Sequence, residues 1–446
     1  MCYNTNEDVL NLDRIVNVIG AGLAGCEAAY QLAKRGIEVN LFEMKKIKKN
    51  DVQNSEFFAE LVCSNSLRSN DVLNAAGLMK AELRELDSLI VKTADLYKVP
   101  AGSALAVDRD MFSKHITDEM TKNPLINIID AEVKNIDFNH YTIIASGPLT
   151  SDSLMAEIKT FLGEDTLYFF DAIAPIIEFD SINMDVAYFK SRYDKGSADY
   201  INCPMTKEQY DIWYNEVINA KTVDIKEHEL KVFEGCMPFE EIARRGYQTL
   251  LFGPMKPVGL EKTGERRAFA VVQLRQDNLI KTMFNIVGFQ THLTFSEQKR
   301  VIRMIPGLEK ANIIRYGIMH RNAFINAPKA INQYYQSKKI PHIFFAGQLS
   351  GVEGYVESIG SGLVAGINMS RLIRDLDLFK FSHFTALGSQ SYYISSAGEK
   401  YFQPMNTNFG IFPSLEAKHH KKERKALYAK RSLEAIEAMI GSGVLD

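Results

Sequence analysis

Two cysteines stand in settings where a thiol could do chemistry. Cys63 lies in Phe58-Ala59-Glu60-Leu61-Val62-Cys63-Ser64-Asn65-Ser66-Leu67-Arg68, and Cys236 lies in Phe233-Glu234-Gly235-Cys236-Met237-Pro238. A positioned thiolate is a strong nucleophile that can add to an electron-poor ring carbon, whereas a redox dithiol needs a partner sulfur nearby. Neither cysteine has such a partner close in sequence. Gly235 and Pro238 disfavour a helix interior and suit an accessible turn around Cys236. The Ser-Asn-Ser setting of Cys63 does not suit a core filler. Cys26 and Cys203, by contrast, read as small buried hydrophobes.

The elements that must position these thiols begin with a nucleotide-binding unit. Ile15-Val16-Asn17-Val18-Ile19 reads as a buried strand running into Gly20-Ala21-Gly22-Leu23-Ala24-Gly25, and Ala28, Ala29, Leu32 and Ala33 mark a helix ending near Gly36. Gly20 allows the tight turn and Gly22 lets backbone approach a pyrophosphate. Gly25 permits close helix-strand packing, with the helix N-terminus facing the phosphates. A second strand, Val39-Asn40-Leu41-Phe42-Glu43, ends in an acid placed to accept hydrogen bonds from a ribose. Far along the chain, Pro341-His342-Ile343-Phe344-Phe345-Ala346-Gly347-Gln348 reads as a strand ending at a glycine, with a small-residue helix behind it from Gly360 to Gly366. That pair resembles the second FAD contact of glutathione-reductase-like flavoproteins, with Gln348 where an acid is usual.

The fold class that follows is α/β: a Rossmann-like FAD-binding domain of the glutathione-reductase type, made discontinuous by an inserted α+β domain. Tyr141-Thr142-Ile143-Ile144-Ala145-Ser146-Gly147 reads as the strand closing the first half, and the stretch that follows is far too long for a loop. The boundaries expected are 1–150 for the first part of the FAD domain, 151–335 for the insertion and 336–446 for the second part. Leu78, Leu83, Leu86, Leu89 and Ile90 recur at helical spacing and read as core.

Bulk properties narrow the class. The chain has 446 residues, 46% of them apolar and 24% charged, which suits a globular protein with a sizeable core. Five cysteines with no C-x-x-C pair indicate neither a disulfide framework nor a zinc site, so no metal is expected. The N-terminal residues lack the features of a secretion signal and no apolar run is long enough to span a membrane, which reads as cytoplasmic. The formal net charge of -3 argues against bulk attraction to nucleic acid. Two basic runs could still form local RNA-binding surfaces or simply face solvent: Lys45-Lys46-Ile47-Lys48-Lys49, and Lys418-His419-His420-Lys421-Lys422-Glu423-Arg424-Lys425.

Taken with both thiol segments, Asn74 to Lys80, Phe252 to Gly259, Val272 to Asn278, Arg315 to Asn322 and Phe402 to Gly410 closely resemble the FAD- and folate-dependent tRNA (uracil-5-)-methyltransferases, the TrmFO family. The similarity runs from about Ile15 to Leu415. It implies an enzyme that makes 5-methyluridine in RNA, taking carbon from 5,10-methylenetetrahydrofolate through a methylene adduct on reduced flavin. NADPH or NADH would reduce the FAD. Adding a thiolate to carbon 6 of uracil makes carbon 5 nucleophilic, so a cysteine is the natural covalent catalyst. The resemblance implies Cys236 as that nucleophile and Cys63 as the base for the carbon 5 proton. His320 could stack on the pterin and Arg321 could meet the folate's glutamate carboxylate, or His320 could be a structural histidine. Lys256 and Arg275 could touch RNA phosphates or face solvent.

Two departures from the family pattern bear on the RNA target: a Lys- and Asn-rich stretch stands between Glu43 and Cys63, and Ala323 follows His320-Arg321-Asn322 where threonine is usual. The family includes members that modify a uridine of 23S ribosomal RNA, so tRNA and ribosomal RNA both remain open as partners. The competing readings are a flavin oxidoreductase of the disulfide-reductase kind, which lacks its vicinal dithiol here, a flavoprotein modifying the tRNA wobble uridine, and a noncatalytic RNA-binding flavoprotein.

Overall fold

The structure is a computed structural model; it describes residues 14–50, 52–163, 167–194, 197–223, 237–262, 264, 266–416 and 419–445. A five-stranded parallel sheet forms the base, in the order Ile343–Phe345, Tyr141–Ile144, Val16–Ile19, Val39–Glu43 and Ile126–Asp130. Val16, Val18, Leu41, Ile143 and Phe344 are fully or almost fully buried, as expected of a sheet covered on both faces. The fold class is therefore the α/β class expected.

Helix Leu23–Lys34 leaves the central strand and packs against helix Tyr355–Ile373. Small residues make the approach close. A Cβ on Gly362 would lie 2.3 Å from the Ala24 carbonyl oxygen, and one on Gly366 would lie 2.8 Å from that of Ala28. The five apolar residues between 78 and 90 are all buried, but they sit on two helices, Ala75–Glu85 and Leu89–Leu96, with Leu86 at the first one's end. Asp87 takes a left-handed φ of 62° and the Ser88 hydroxyl caps the second helix by accepting from the Val91 N–H, so the chain turns while the apolar spacing continues.

The second core is built around a six-stranded antiparallel sheet in the order Tyr188–Phe189, Tyr200–Met205, Ala270–Gln276, Met283–Ile286, Ile176–Glu178 and Ile313–Arg315. Its apolar cluster draws on residues from Ile177 to Ala311, including the fully buried Trp213, Phe284 and Phe289. A two-stranded ribbon, Leu167–Ala172 with Met319–Phe324, carries the chain into and out of it. A small three-stranded sheet, Ser66–Ser69, Ala104–Val107 and Lys98–Val99, lies just after Cys63.

Candidate active site

A groove opens at the carboxyl ends of the parallel strands. Gly20, Ala21, Gly22, Leu23, Ala24 and Glu43 line it from one half of the sheet, and Gly347 and Gln348 line it from the other. The glycines divide by role. Gly20 has φ +100°, and a Cβ there would sit 2.7 Å from the Ala145 carbonyl oxygen; on Gly25 it would sit 1.8 Å from that of Gly20. Both are required by packing within the protein. A Cβ on Gly22 would meet nothing within 4 Å, so the protein itself leaves that face open at the first turn of the helix. This arrangement fits a pyrophosphate, which needs backbone N–H groups and no intervening side chain.

Glu43 does two things at once. Its Oε2 accepts from the Ala21 N–H at 2.8 Å and its Oε1 from the Lys45 N–H at 2.9 Å, fixing the glycine loop to the second strand. Each oxygen keeps a second lone pair, and the residue still borders the groove. On the far side, Gly347 donates to the Ser361 hydroxyl at 2.7 Å, while the Gln348 amide donates to Glu353 at 2.7 Å.

Cys63 is half-buried and follows Val62, which lines the groove together with Tyr355. The Tyr355 hydroxyl accepts from the Cys63 and Ser64 N–H groups at 2.8 and 3.2 Å, and burial, with Cys63 beside it, holds its phenol above the ordinary range. Three arginines clamp the same segment. Arg109 donates to the Leu61 backbone carbonyl at 2.7 Å, Arg315 to that of Val62 at 2.9 Å, and Arg275 to the Ser64 hydroxyl at 2.7 Å and the Asn65 side-chain Oδ1 at 3.1 Å. Burial lowers the pKa of Arg275 and of Arg315; it also opposes the charge of Arg109, but Asp277 and then Tyr355 outweigh it and raise that pKa.

Arg275 is therefore neither solvent-facing nor placed on an outer phosphate-binding surface. Its strand is buried on both faces, so the alternation that would have put it outside does not operate. Tyr355, Arg109 and Arg315 were not singled out from the sequence, because a buried arginine and an exposed one look alike until their partners are known.

Cys236 lies outside the described residues. The residues on either side of its segment are held at one place: Val223 donates its N–H to the His292 carbonyl at 2.8 Å, and Phe239 donates to that of Gln290 at 2.8 Å. The buried Glu240 accepts from the Thr291 hydroxyl at 3.0 Å and the His292 N–H at 2.7 Å. From the helix Phe295–Ile302 that follows this loop, Gln298 bonds both the N–H and the carbonyl of Gly317, at 2.8 and 2.9 Å. Ile318 then accepts from Ile173, and the neighbouring Ala172 carbonyl accepts from the Cys63 thiol at 3.8 Å. His320 and Arg321 stand on the ribbon strand opposite Asp171 and Phe170, and their side chains lie outside what the structure describes.

Of the other described cysteines, Cys26 and Cys203 are both fully buried and structural, and burial pushes both thiols far up. The first basic run does not present free charge. Lys45 is buried against Glu60 at 3.1 Å, while Lys46, Lys48 and Lys49 pair with Asp130, Glu132 and Glu56. In the second run Lys418 lies outside the described residues, and 419 to 425 are exposed. Among the described residues no helix is long and apolar enough to cross a membrane, and no cluster of potential metal ligands occurs.

Residues 15–377 match the family model described as Glucose inhibited division protein A. The chain is 57% identical over 430 residues to the methylenetetrahydrofolate--tRNA-(uracil-5-)-methyltransferase TrmFO of Staphylococcus carnosus, covering 95% of this chain and 98% of that protein. It is 58% identical over 427 residues to the protein of the same name from Staphylococcus epidermidis, again covering 95% and 98%. Among solved structures, GidA of Aquifex aeolicus matches with a TM-score of 0.69 at 15% identity, over 96% of this chain and 74% of that one, a likeness of fold. With near-complete coverage at this identity, the chain belongs to the TrmFO family.

Proposed function

We propose that this protein methylates carbon 5 of a uridine in tRNA, with 5,10-methylenetetrahydrofolate as carbon source, FAD in the groove and NADPH or NADH as reductant. The observation that carries the reading is the groove itself: packing requires Gly20 and Gly25, Gly22 is left open toward a ligand, and Cys63 stands one residue beyond the wall. FAD, when bound, supplies the electrons that bring the transferred carbon to the methyl level.

The chain's own residues supply covalent and proton chemistry. The Cys236 thiolate adds to carbon 6 of the uracil, which makes carbon 5 a nucleophile, and it leaves again by elimination once the new bond has formed. Cys63 takes the proton from carbon 5. The anchoring of the Cys236 flanks to the loop that leads, through Gly317, to the partner of Cys63 supports both thiols working on one base. For the folate we propose stacking by His320 and a carboxylate contact by Arg321.

The test is isotope transfer. Purified protein given NADPH, tRNA and methylenetetrahydrofolate labelled in its one-carbon unit should yield labelled 5-methyluridine on digestion to nucleosides. S-adenosylmethionine labelled in its methyl group should yield none. Label entering from S-adenosylmethionine would overturn the proposal, and label appearing in 23S ribosomal RNA but not in tRNA would move the target while keeping the chemistry.

A further inference from the structure

The loop that anchors both flanks of the Cys236 segment ends at an exposed Phe295, whose ring meets the half-buried Tyr316. Phe295, the first residue of helix Phe295–Ile302, is 55% exposed, and its ring lies 4.8 Å from that of Tyr316, centroid to centroid, at 33°. A phenylalanine this exposed gains little from folding. Tyr316 directly follows Arg315, whose guanidinium holds the Val62 carbonyl, so the pair stands on the same piece of backbone that secures the Cys63 segment.

Charge around the pair is also uneven. Lys299, four residues along the same helix, lies on the Phe295 face, and Lys221, whose carbonyl accepts from Thr294, lies beside its start; both are exposed. Glu297, on the same helix, is bound by Arg300 at 2.6 Å and also interacts with Lys221, and Arg300 pairs in turn with Glu216. An exposed aromatic ring backed by a second ring and flanked by lysines is the footprint of a surface that stacks unpaired bases and follows the backbone.

We infer that Phe295 and Tyr316 form a stacking platform for a nucleobase of the RNA substrate, with Lys221 and Lys299 meeting the adjoining phosphates. The partner is a single-stranded or looped RNA segment, whose bases are free to leave their own stack. This rests on the proposed function for the identity of the RNA, and it adds where that RNA is gripped.

Binding and methyl transfer, measured separately, test it. The full-length protein carrying Phe295→Leu keeps an apolar side chain but loses the ring; its affinity for a tRNA transcript should fall about 5- to 100-fold, while Phe295→Trp should bind as wild type does. Flavin content and thermal midpoint should be unchanged in both, because the side chain is largely outside the core. Lys299→Glu should flatten the dependence of log affinity on log salt by about one contact's share. If Phe295→Leu binds the transcript as tightly as wild type, the platform is refuted, whether or not the wild type methylates RNA. If Phe295→Leu weakens binding while wild type transfers no methyl group, the platform stands and the proposed reaction falls.

Discussion

Arg109 and Asp277 form a nearly buried ion pair between the two cores, with Nη2 and Oδ1 3.1 Å apart and side chains 11% and 2% exposed. Arg109 opens the helix Arg109–Lys122, which packs against the parallel sheet at its outer strand Ile126–Asp130, and Asp277 directly follows the antiparallel strand Ala270–Gln276. Since Arg109 also holds the Leu61 carbonyl, one guanidinium joins both cores and the Cys63 segment. Removing its counter-charge leaves a buried cation uncompensated. Asp277→Asn should destabilise the protein by about 3–5 kcal/mol, read from the shift in urea midpoint. An unchanged midpoint would show that the pair is not needed to hold the cores together.

The glycine loop predicts a contrast between neighbours. Gly22→Val should fold with a wild-type circular dichroism spectrum but be purified without yellow colour, because the new side chain occupies the phosphate approach. Gly25→Ala should fail earlier, as insoluble or unfolded protein, because its Cβ has no room against the Gly20 carbonyl. Full flavin retention in Gly22→Val would count against FAD in this groove.

The two thiols should separate on RNA carrying 5-fluorouridine at the target, where fluorine cannot depart as a proton does. Cys236→Ala should form no covalent protein-RNA adduct and show no turnover while keeping its flavin; Cys63→Ala should still form the adduct. Denaturing gel electrophoresis reads the outcome. Adduct formation by Cys236→Ala but not by Cys63→Ala would exchange their roles.

Lys80 predicts a pH effect on stability. Its ammonium is buried and donates to the Leu67, Ser69 and Ala76 carbonyls at 2.8, 2.7 and 3.1 Å, and burial, then Arg68, lower its pKa from 10.5 to about 7. Between those values the unfolded chain holds the proton more tightly than the folded one. Stability should therefore rise as pH climbs from about 7 toward 10.5, by up to about 1.4 kcal/mol per pH unit, and this contribution should be flat below 7. Lys80→Met should lack this component, so wild-type stability relative to the variant should rise between urea titrations at pH 7.5 and pH 9. Parallel curves would remove the argument.

The glycine loop was legible because backbone geometry dictates it: a tight turn, an open approach and a close helix crossing each demand glycine at its own place. The pairing of Ile343–Phe345 with Tyr141–Ile144 follows the same logic, since a buried parallel strand reads as a short apolar run. Sequence said less where tertiary contacts override pattern. Apolar spacing continues through Asp87 although the chain turns there, and Ser88, a visible cap residue, was the overlooked signal. The lysines after Glu43 looked like a free basic patch until Asp130, Glu132 and Glu56, distant or poorly ordered in the pattern, supplied their partners. Arg275 shows the limit most clearly, because only a strand covered on both faces turns a surface residue type into a clamp on the Cys63 segment.

The placement of strand Ile343–Phe345 at the edge of the parallel sheet, next to Tyr141–Ile144, also sets an order of events on the ribosome. The nucleotide-binding sheet cannot acquire its last strand until everything between those two strands has been synthesised. The antiparallel core, whose apolar cluster lies wholly inside that interval, can condense first and bring its two ends together. Closing the long loop is then no longer an entropic burden on the parallel sheet. Substitutions that weaken the antiparallel core should for this reason lower the yield of flavin-loaded protein during synthesis more than they lower the stability of protein already folded.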